Sequence, residues 1–361
     1  MPEIGYWDTA ITHKGDALNA FVNDYFADPD KHTLIIGGAG FDPRSPLVAT
    51  TLAKAIRGSV RIALIQEVRQ ESDPELKVNA EANTAEILES IPDHVIIDID
   101  IFDPHGSVVG GRRLASQLYA LDFAAYTDIV IDISALSVGI SFPTIATLRH
   151  VLQSKEADYN LHVFVAHQPE LDSRIRPIPS EEATTVHGFA NKFALTAGTQ
   201  RVATLWLPQL ATGRASTLQR IHEKVQPDEV CPIIPFPSVD PRAGDELLVE
   251  LLSSDDVIWQ PDPRDLVYAD ESDPLDLYRT ILRLHELRQE VFEGVGGSRV
   301  VLSPIGSKVM ALGALLAAIE KELPVIYVED YAYEIVADGS PVTDEPELMH
   351  VWLERPEPLA L

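Results

Sequence analysis

Short runs rich in Ile, Val and Leu recur through the first half of the chain, at 33–36, 60–65, 94–99, 128–133 and 161–165. They are almost continuous in apolar residues, the pattern of strands covered on both faces in a parallel sheet. Between them the sequence turns helical, at 46–57, 74–90, 110–121 and 143–154. Parallel neighbours need a crossover, and helices fill it. The first half therefore reads as successive βαβ units of a doubly wound sheet.

A stretch rich in loop signals follows at 168–200, with Pro169, Pro177 and Pro179. Then the pattern restarts. Strands are expected at 201–207, 230–236, 299–303, 325–328 and 350–353, and helices at 216–225, 243–252, 275–293 and 308–321. In the long helix, Leu277, Ile281, Leu284, Leu287 and Val291 fall on one stripe. These elements predict an α/β protein of two Rossmann-like halves with mainly parallel sheets. The division is 1–167, a loop-rich connection at 168–199, and 200–361. A chain of 361 residues is long enough for two domains. Asp-Pro-Arg follows strands at 42–44 and 240–242 and recurs at 262–264. This hints at internal duplication, against the plainer reading of Asp-Pro as a common turn and helix-start pair.

Charge narrows the partners. Acidic residues number 56 and basic ones 28, a formal net charge of −28. Such a surface repels polyanions, so non-specific binding to nucleic acid is not expected. A phosphorylated small molecule is still compatible, because a few local Arg and Lys residues build one site. Cys231 is the single cysteine, so no intrachain disulfide forms, and its apolar surroundings predict a buried, inert thiol. No basic segment followed by an apolar core opens the chain, and the longest fully apolar helical run, 309–319, is too short to span a bilayer. A cytoplasmic location without membrane association is the expectation.

The strongest local signal is TLIIGGAGFDPRSP at 33–46. A strand runs into Gly37, Gly38 and Gly40, and a helix opens at Ser45 and Pro46. Glycines permit positive φ and close backbone approach, and a helix N-terminus attracts anions. Arg44 is placed to fork onto phosphate oxygens, and Asp42 to meet a ribose hydroxyl or orient Arg44. The spacing is neither the dinucleotide fingerprint nor a Walker loop, and a ligand-free strand-to-helix turn explains the glycines equally simply. In DISALSVGISFP at 132–143, Ser134 and Ser137 follow a strand end, where open α/β sheets place ligands. No G-x-S-x-G elbow makes either serine a nucleophile. Arg112 and Arg113 would add charge to that rim or lie in solvent.

The second signal is VVLSPIGSKVMALGALLAAI at 300–319. Ser307 is a natural N-cap, and Lys308 opens a helix apolar all round, hence buried. Lys308 there calls for an anion, or reaches to a surface carboxylate. The strand–Gly-Ser-Lys–helix unit at Gly306, Ser307 and Lys308 resembles the signature loop of the CRISPR-associated Rossmann-fold ligand sensors of prokaryotic defence. That resemblance implies a Rossmann-like sensor, often dimeric, that binds a nucleotide second messenger. The turn at Gly37–Arg44 and the strand end at Asp132–Ser134 would be the other ligand loops.

A third segment, HVIIDIDIFDPHG at 94–106, places Asp98 and Asp100 on one strand face, with Asp103 and His105 in the loop beyond. Such a set suits Mg2+ or Mn2+, and equally a capped strand end followed by a turn. No zinc-type histidine spacing is present, and His187 is the best lone acid–base candidate.

Three readings follow. The first is a sensor binding a phosphate-bearing nucleotide through Gly37, Gly38, Gly40, Asp42, Arg44, Ser134, Gly306, Ser307 and Lys308, and signalling to a protein partner or within a homodimer. The second is a Mg2+-dependent enzyme that cleaves or transfers a nucleotide phosphate or glycosidic bond through Asp98, Asp100 and Asp103. The third is a non-catalytic interaction protein working through its acidic surface and striped helix.

Overall fold

The structure, a computed structural model, describes residues 5–69, 73–154, 159–190, 202–255, 257–259, 261–295, 297–335 and 342–355. The first half alternates as its sequence predicts: β1 (Ile11–Lys14), α1 (Gly15–Tyr25), β2 (His32–Gly38), α2 (Leu47–Ala55), β3 (Ser59–Val68) and α3 (Pro74–Ser90). Then come β4 (His94–Asp100), α4 (Gly110–Ala120), β5 (Asp128–Asp132), α5 (Val138–Ser154) and β6 (Asn160–His167). α5 begins ahead of Pro143, which lies inside it. The chain continues through α6 (Pro169–Arg174), β7 (Ile175–Thr185), β8 (Ala203–Pro208), α7 (Ala215–Val225), β9 (Glu229–Val230), β10 (Ile233–Pro235) and α8 (Ala243–Ser253). β11 (Val267–Ala269), α9 (Pro274–Phe292), β12 (Ser298–Ser303), α10 (Lys308–Glu320), β13 (Ile326–Ile335) and β14 (Glu347–Glu354) complete it.

Two compact units result. The N-terminal unit is Thr9–Gln168 with Pro341–Leu361, and the central unit is Met1–Asp8 with Pro169–Ser340. This replaces the linear division at 167 and 200, because the last strand returns to the first sheet. In the N-terminal unit the strand order is β1-β14-β6-β5-β2-β3-β4. The five strands from β2 to β6 pair in parallel, while β14 is antiparallel to both its neighbours. Their spatial order, third-second-first-fourth-fifth, is that of the first five strands of a doubly wound, Rossmann-like sheet, with its reversal between β2 and β5. Ile35, Ile62, Leu64 and Val130 are buried in one core with Leu52 of α2 and Ile87 of α3.

The central unit repeats this order in pieces. β8 pairs in parallel with β12 and β9, and β10 with β11. Single parallel bridges, Gln209 to Ile233 and Leu302 to Val325, add β10 beside β8 and β13 beside β12. β7 then pairs antiparallel with β13. The order β11-β10-β8-β12-β13 is again third-second-first-fourth-fifth, with the reversal between β8 and β12. Each unit thus carries an antiparallel sixth strand beside its fifth, and the chain exchanges the two. β7 follows β6 in sequence but completes the central sheet, and β14 follows β13 but completes the N-terminal one.

β7 overturns the expectation of a loop at 168–200. Its Pro177 and Pro179 stand opposite Tyr333 and Asp330. An edge strand has one partner, so residues that donate no backbone hydrogen bond are tolerated there. Positions 191–201 lie outside the described residues. The stripe on α9 is buried at Leu277 and Ile281, whereas Leu287 and Val291 are exposed. Gly313 of α10 lets that helix lie against the start of α9, since a Cβ there would sit 2.3 Å from the Pro274 carbonyl oxygen.

Candidate functional site at the strand-order reversal

The loops leaving β2 and β5 meet at the carboxyl edge of the N-terminal sheet. A Cβ on Gly37 would lie 3.3 Å from Asp132 Cβ, and one on Gly38 3.0 Å from Leu136 and 3.2 Å from the Ala135 backbone. Neither glycine, nor Gly40, has positive φ. Gly37 and Gly38 therefore admit the neighbouring loop, while a Cβ on Gly40 would make only ordinary contact with Ala135, at 3.6 Å. Ser45 does not cap α2 either: its hydroxyl donates to the Gly38 carbonyl at 2.6 Å. Pro46 takes the cap position, and no side chain caps that helix. Asn83 of α3, unforeseen in the sequence, holds the loop by donating to the carbonyls of Gly40 and Asp42, both at 2.9 Å.

Within this loop Asp42 grips Arg44. The Arg44 Nε and Nη2 donate to the two carboxylate oxygens at 3.0 and 2.7 Å, and its amide donates to Oδ1 at 2.9 Å. The Arg44 side chain is only 3% exposed. Of the roles proposed for Asp42, orienting Arg44 is therefore the one the geometry displays. Asp132 lies at the end of β5 and is fully buried. The Ser134 amide and hydroxyl donate to its Oδ1 at 2.9 and 2.6 Å. Burial and the nearby Asp42 push its carboxyl up, against the Ser134 hydrogen bonds and Arg44, to about 7. The Ser134 hydroxyl also accepts from the Ala166 amide at 2.8 Å, so it bridges β5 to β6.

The end of β3 adds a second acid–guanidinium pair that sequence reading passed over. Glu67 accepts from Arg69 Nη2 at 2.6 Å and from the Ser137 amide, just before α5, at 2.7 Å. An acid beside a helix N-terminus is a favourable placement. The Ser137 hydroxyl is buried and has no hydrogen-bond partner among the described residues. The available signal was Glu67 and Arg69 directly after an apolar run. The ends of β2, β3 and β5 thus bring three acids and two guanidiniums to one edge of the sheet. Exchange of an ion pair and, at Asp132, holding or yielding a proton near neutral pH are the chemistry these groups can offer.

Gly306, Ser307 and Lys308 belong to the central unit and lie at the reversal of its own sheet. Ser307 caps α10 as predicted, accepting from the Met310 amide at 3.3 Å. Gly306 approaches fully buried Gln209, whose Oε1 would be 2.9 Å from a Cβ there. Arg214, in the loop after β8, forks onto buried Asp330 at 3.0 and 3.4 Å. By topology Arg214, rather than Arg242, is the counterpart of Arg44. An open depression of about 380 Å3 in this unit is lined by Gly213, Ala215, Ser216, Glu250, Ser253 and Ser254, none of them predicted.

The acidic run on β4 does not assemble. Asp98 and Asp100 are exposed. Arg113 donates to Asp100 at 2.9 Å, and Asp103 accepts from the amides of His105 and Ser107 in its own turn. The turn reading holds here because neighbouring donors already engage two of the carboxylates expected to bind metal. Among the described residues, Glu229, Cys231 and Asp265 form the group whose ligand atoms all lie within 4.8 Å of one another. Burial pushes the Cys231 thiol up to about 12, which keeps it protonated and inert. His187 is exposed in the turn after β7. No helix among the described residues is long and apolar enough to cross a membrane.

No family model matches the chain, and no match to a curated protein was found. Three solved structures show distant similarity. The chain is 11% identical to N,N-8-amino-8-demethyl-D-riboflavin dimethyltransferase from Streptomyces davawensis, covering 46% of this chain and 41% of that one at a TM-score of 0.22. It therefore spans less than half of the methyltransferase's length. The cytoplasmic domain of a prokaryotic cation chloride cotransporter is 11% identical, with 83% and 96% covered and a TM-score of 0.21. UDP-GlcNAc 2-epimerase from Neisseria meningitidis, bound to UDP-GlcNAc, is 9% identical, with 78% and 85% covered and a TM-score of 0.23.

Proposed function

We propose that the N-terminal unit is a sensor that binds a phosphate-bearing nucleotide at the reversal between β2 and β5. The observation that carries this reading is Arg44, buried at the strand-order reversal with its fork on Asp42. A planar guanidinium pairs as readily with phosphate as with carboxylate. Asp42 is thus a built-in anion that a ligand phosphate displaces, and its release is the event a partner protein or second copy would read. The acidic surface of the chain restricts such a ligand to one that fits this site.

Thermal unfolding with ATP, NAD, cyclic dinucleotides and short cyclic oligoadenylates tests this. A ligand at about 100 times its Kd adds about 2.7 kcal/mol. We expect one of these to raise the Tm of the wild type and of Lys308→Ala, and to leave Arg44→Lys unmoved. A shift that survives in Arg44→Lys, or no shift with any ligand, overturns the reading and favours the interaction protein. The enzyme reading has a specific support in Asp132, whose buried carboxyl at about 7 suits general acid–base work. Product formation that Asp132→Asn abolishes while ligand binding persists would establish it, and repeating the assay with and without Mg2+ would show whether a metal takes part.

A further inference from the structure

Three imidazoles run in line across the outer strands of the N-terminal sheet. His13 on β1 faces its register partner His350 on β14, Nδ1 to Nδ1 at 2.9 Å. His350 Nε2 lies 2.9 Å from Nδ1 of His162 on β6, and His162 Nε2 lies 3.3 Å from Asp128 Oδ1 at the start of β5. His350, His162 and Asp128 are 0% exposed, and His13 at the outer end is partly exposed. Phe21 of α1 stacks on His13 and His350, ring centroids 4.3 and 4.6 Å apart. The chain lies at the opposite end of β5 from Asp132.

The acid sets the direction of the hydrogen bonds. Tyr25 donates to Asp128 Oδ1 at 2.6 Å, and Thr127 and Lys31 donate to Oδ2 at 2.6 and 3.4 Å. Burial pushes this carboxyl up, but hydrogen bonds from His162, Thr127 and Tyr25 outweigh burial and hold it at about 2. An ionised carboxylate only accepts, so His162 carries its proton on Nε2. Its Nδ1 must then accept, which places a proton on Nε2 of His350. His350 Nδ1 accepts in turn, which places a proton on Nδ1 of His13. One set of neutral tautomers satisfies every link.

One added proton can still be accommodated, since a His350 Nδ1–H donates to a His13 tautomer protonated on its outer Nε2. A second added proton leaves one link without a lone pair, so two N–H groups then oppose each other. The charged or titratable groups facing the chain are Asp128 on β5, Tyr25 on α1, and Lys31 with Asp28 on the loop before β2. Asp128 is the acid in contact, and Lys31 already shares it. Burial lowers all three imidazoles, and His13 lowers both buried ones further. β1 and β14 lie outside the parallel core, and β14 joins it at β6.

We propose that this histidine chain is a pH-operated latch: uncharged, it ties β14 and β1 to the parallel core, and protonation in mildly acidic solution unties them. An imidazole held below its ordinary value of about 6.5 binds fewer protons latched than released. The latch is at full strength above about pH 6.5 and weakens as the pH falls below it.

Hydrogen exchange on the full chain at about pH 7.5 and about pH 5.5, corrected for the intrinsic pH dependence of exchange, tests this. Protection across β14 is expected to fall by about tenfold, the equivalent of one unit of pKa shift, while β2 and β3 keep theirs. His350→Phe retains the ring stack on Phe21 and flattens the difference. Should that variant not fold, His13→Gln at the exposed end shows a smaller flattening. Nitrogen-15 NMR at about pH 7.5 reads the tautomers directly, with Nε2–H expected on His162 and His350 and Nδ1–H on His13. Equal protection of β14 at both pH values, an undiminished pH dependence in the variants, or another tautomer set would overturn the proposal.

Discussion

Asp-Pro-Arg occurs at 42–44 and at 262–264, and both copies fold alike. Arg44 forks onto Asp42 at 3.0 and 2.7 Å, and Arg264 onto Asp262 at 3.0 and 2.6 Å. In both, the arginine amide donates to the same carboxylate oxygen at 2.9 Å. The turn is a local product of the tripeptide, since the Arg242 amide also donates to Asp240 Oδ1 at 2.9 Å, but the fork is not, for Arg242 Nε stays 3.8 Å from that oxygen. Burial is where the copies part: Arg44 is 3% exposed and Arg264 88%. Local sequence writes the turn, and tertiary position decides whether a fork on it has energetic or functional weight.

The sharpest way to break this comparison is to remove one acid from each copy. Asp42→Ala leaves a buried guanidinium without its acid and should cost about 3–5 kcal/mol in urea unfolding. Next in size is Gly38→Ala, whose Cβ would press on Leu136 and the Ala135 backbone. We expect a loss of about 1–3 kcal/mol, because overpacking pushes apart the loops that bury Arg44. Asp132→Asn should act mainly through pH. A carboxyl raised to about 7 in the folded state holds its proton longer than the unfolded chain does. The stability it lends is full below about pH 4 and is lost as the pH rises through about 7. Tm measured across this window should fall with pH more steeply in the wild type than in the asparagine variant. Asp262→Ala should leave Tm unchanged, since exposed pairs contribute little. A loss there as large as at Asp42 would show that the fork itself, and not its burial, carries the energy.

Much of the fold was legible because buried parallel strands are apolar without interruption and the crossover helices separate them. β7 was not, since its two prolines spell a loop unless one knows the strand lies at an edge. The exchange of sixth strands could not be read at all, because no local pattern tells a strand which sheet to join. Part of the site was legible in the glycines and in Arg44. Asn83 was not, as a polar residue within a helix gives no hint of which distant carbonyls it reaches. The loops after β2 and β5 meet as expected, whereas Gly306–Lys308 follows a strand end of a second sheet with its own reversal. The copy at 240–242 also misled, since it follows the second strand of its unit, where topology matches Arg44 to Arg214.

The exchange of β7 and β14 has a consequence for synthesis. On the ribosome, β6 emerges well before β14, with Pro169–Ser340 of the central unit between them. Until residues 347–354 are made, one margin of the N-terminal sheet has unsatisfied amides and carbonyls, the kind of surface on which nascent chains associate. A protein made in this order benefits from rapid elongation or a temporary escort for that margin, and its first sheet is complete only once residues 347–354 have been made.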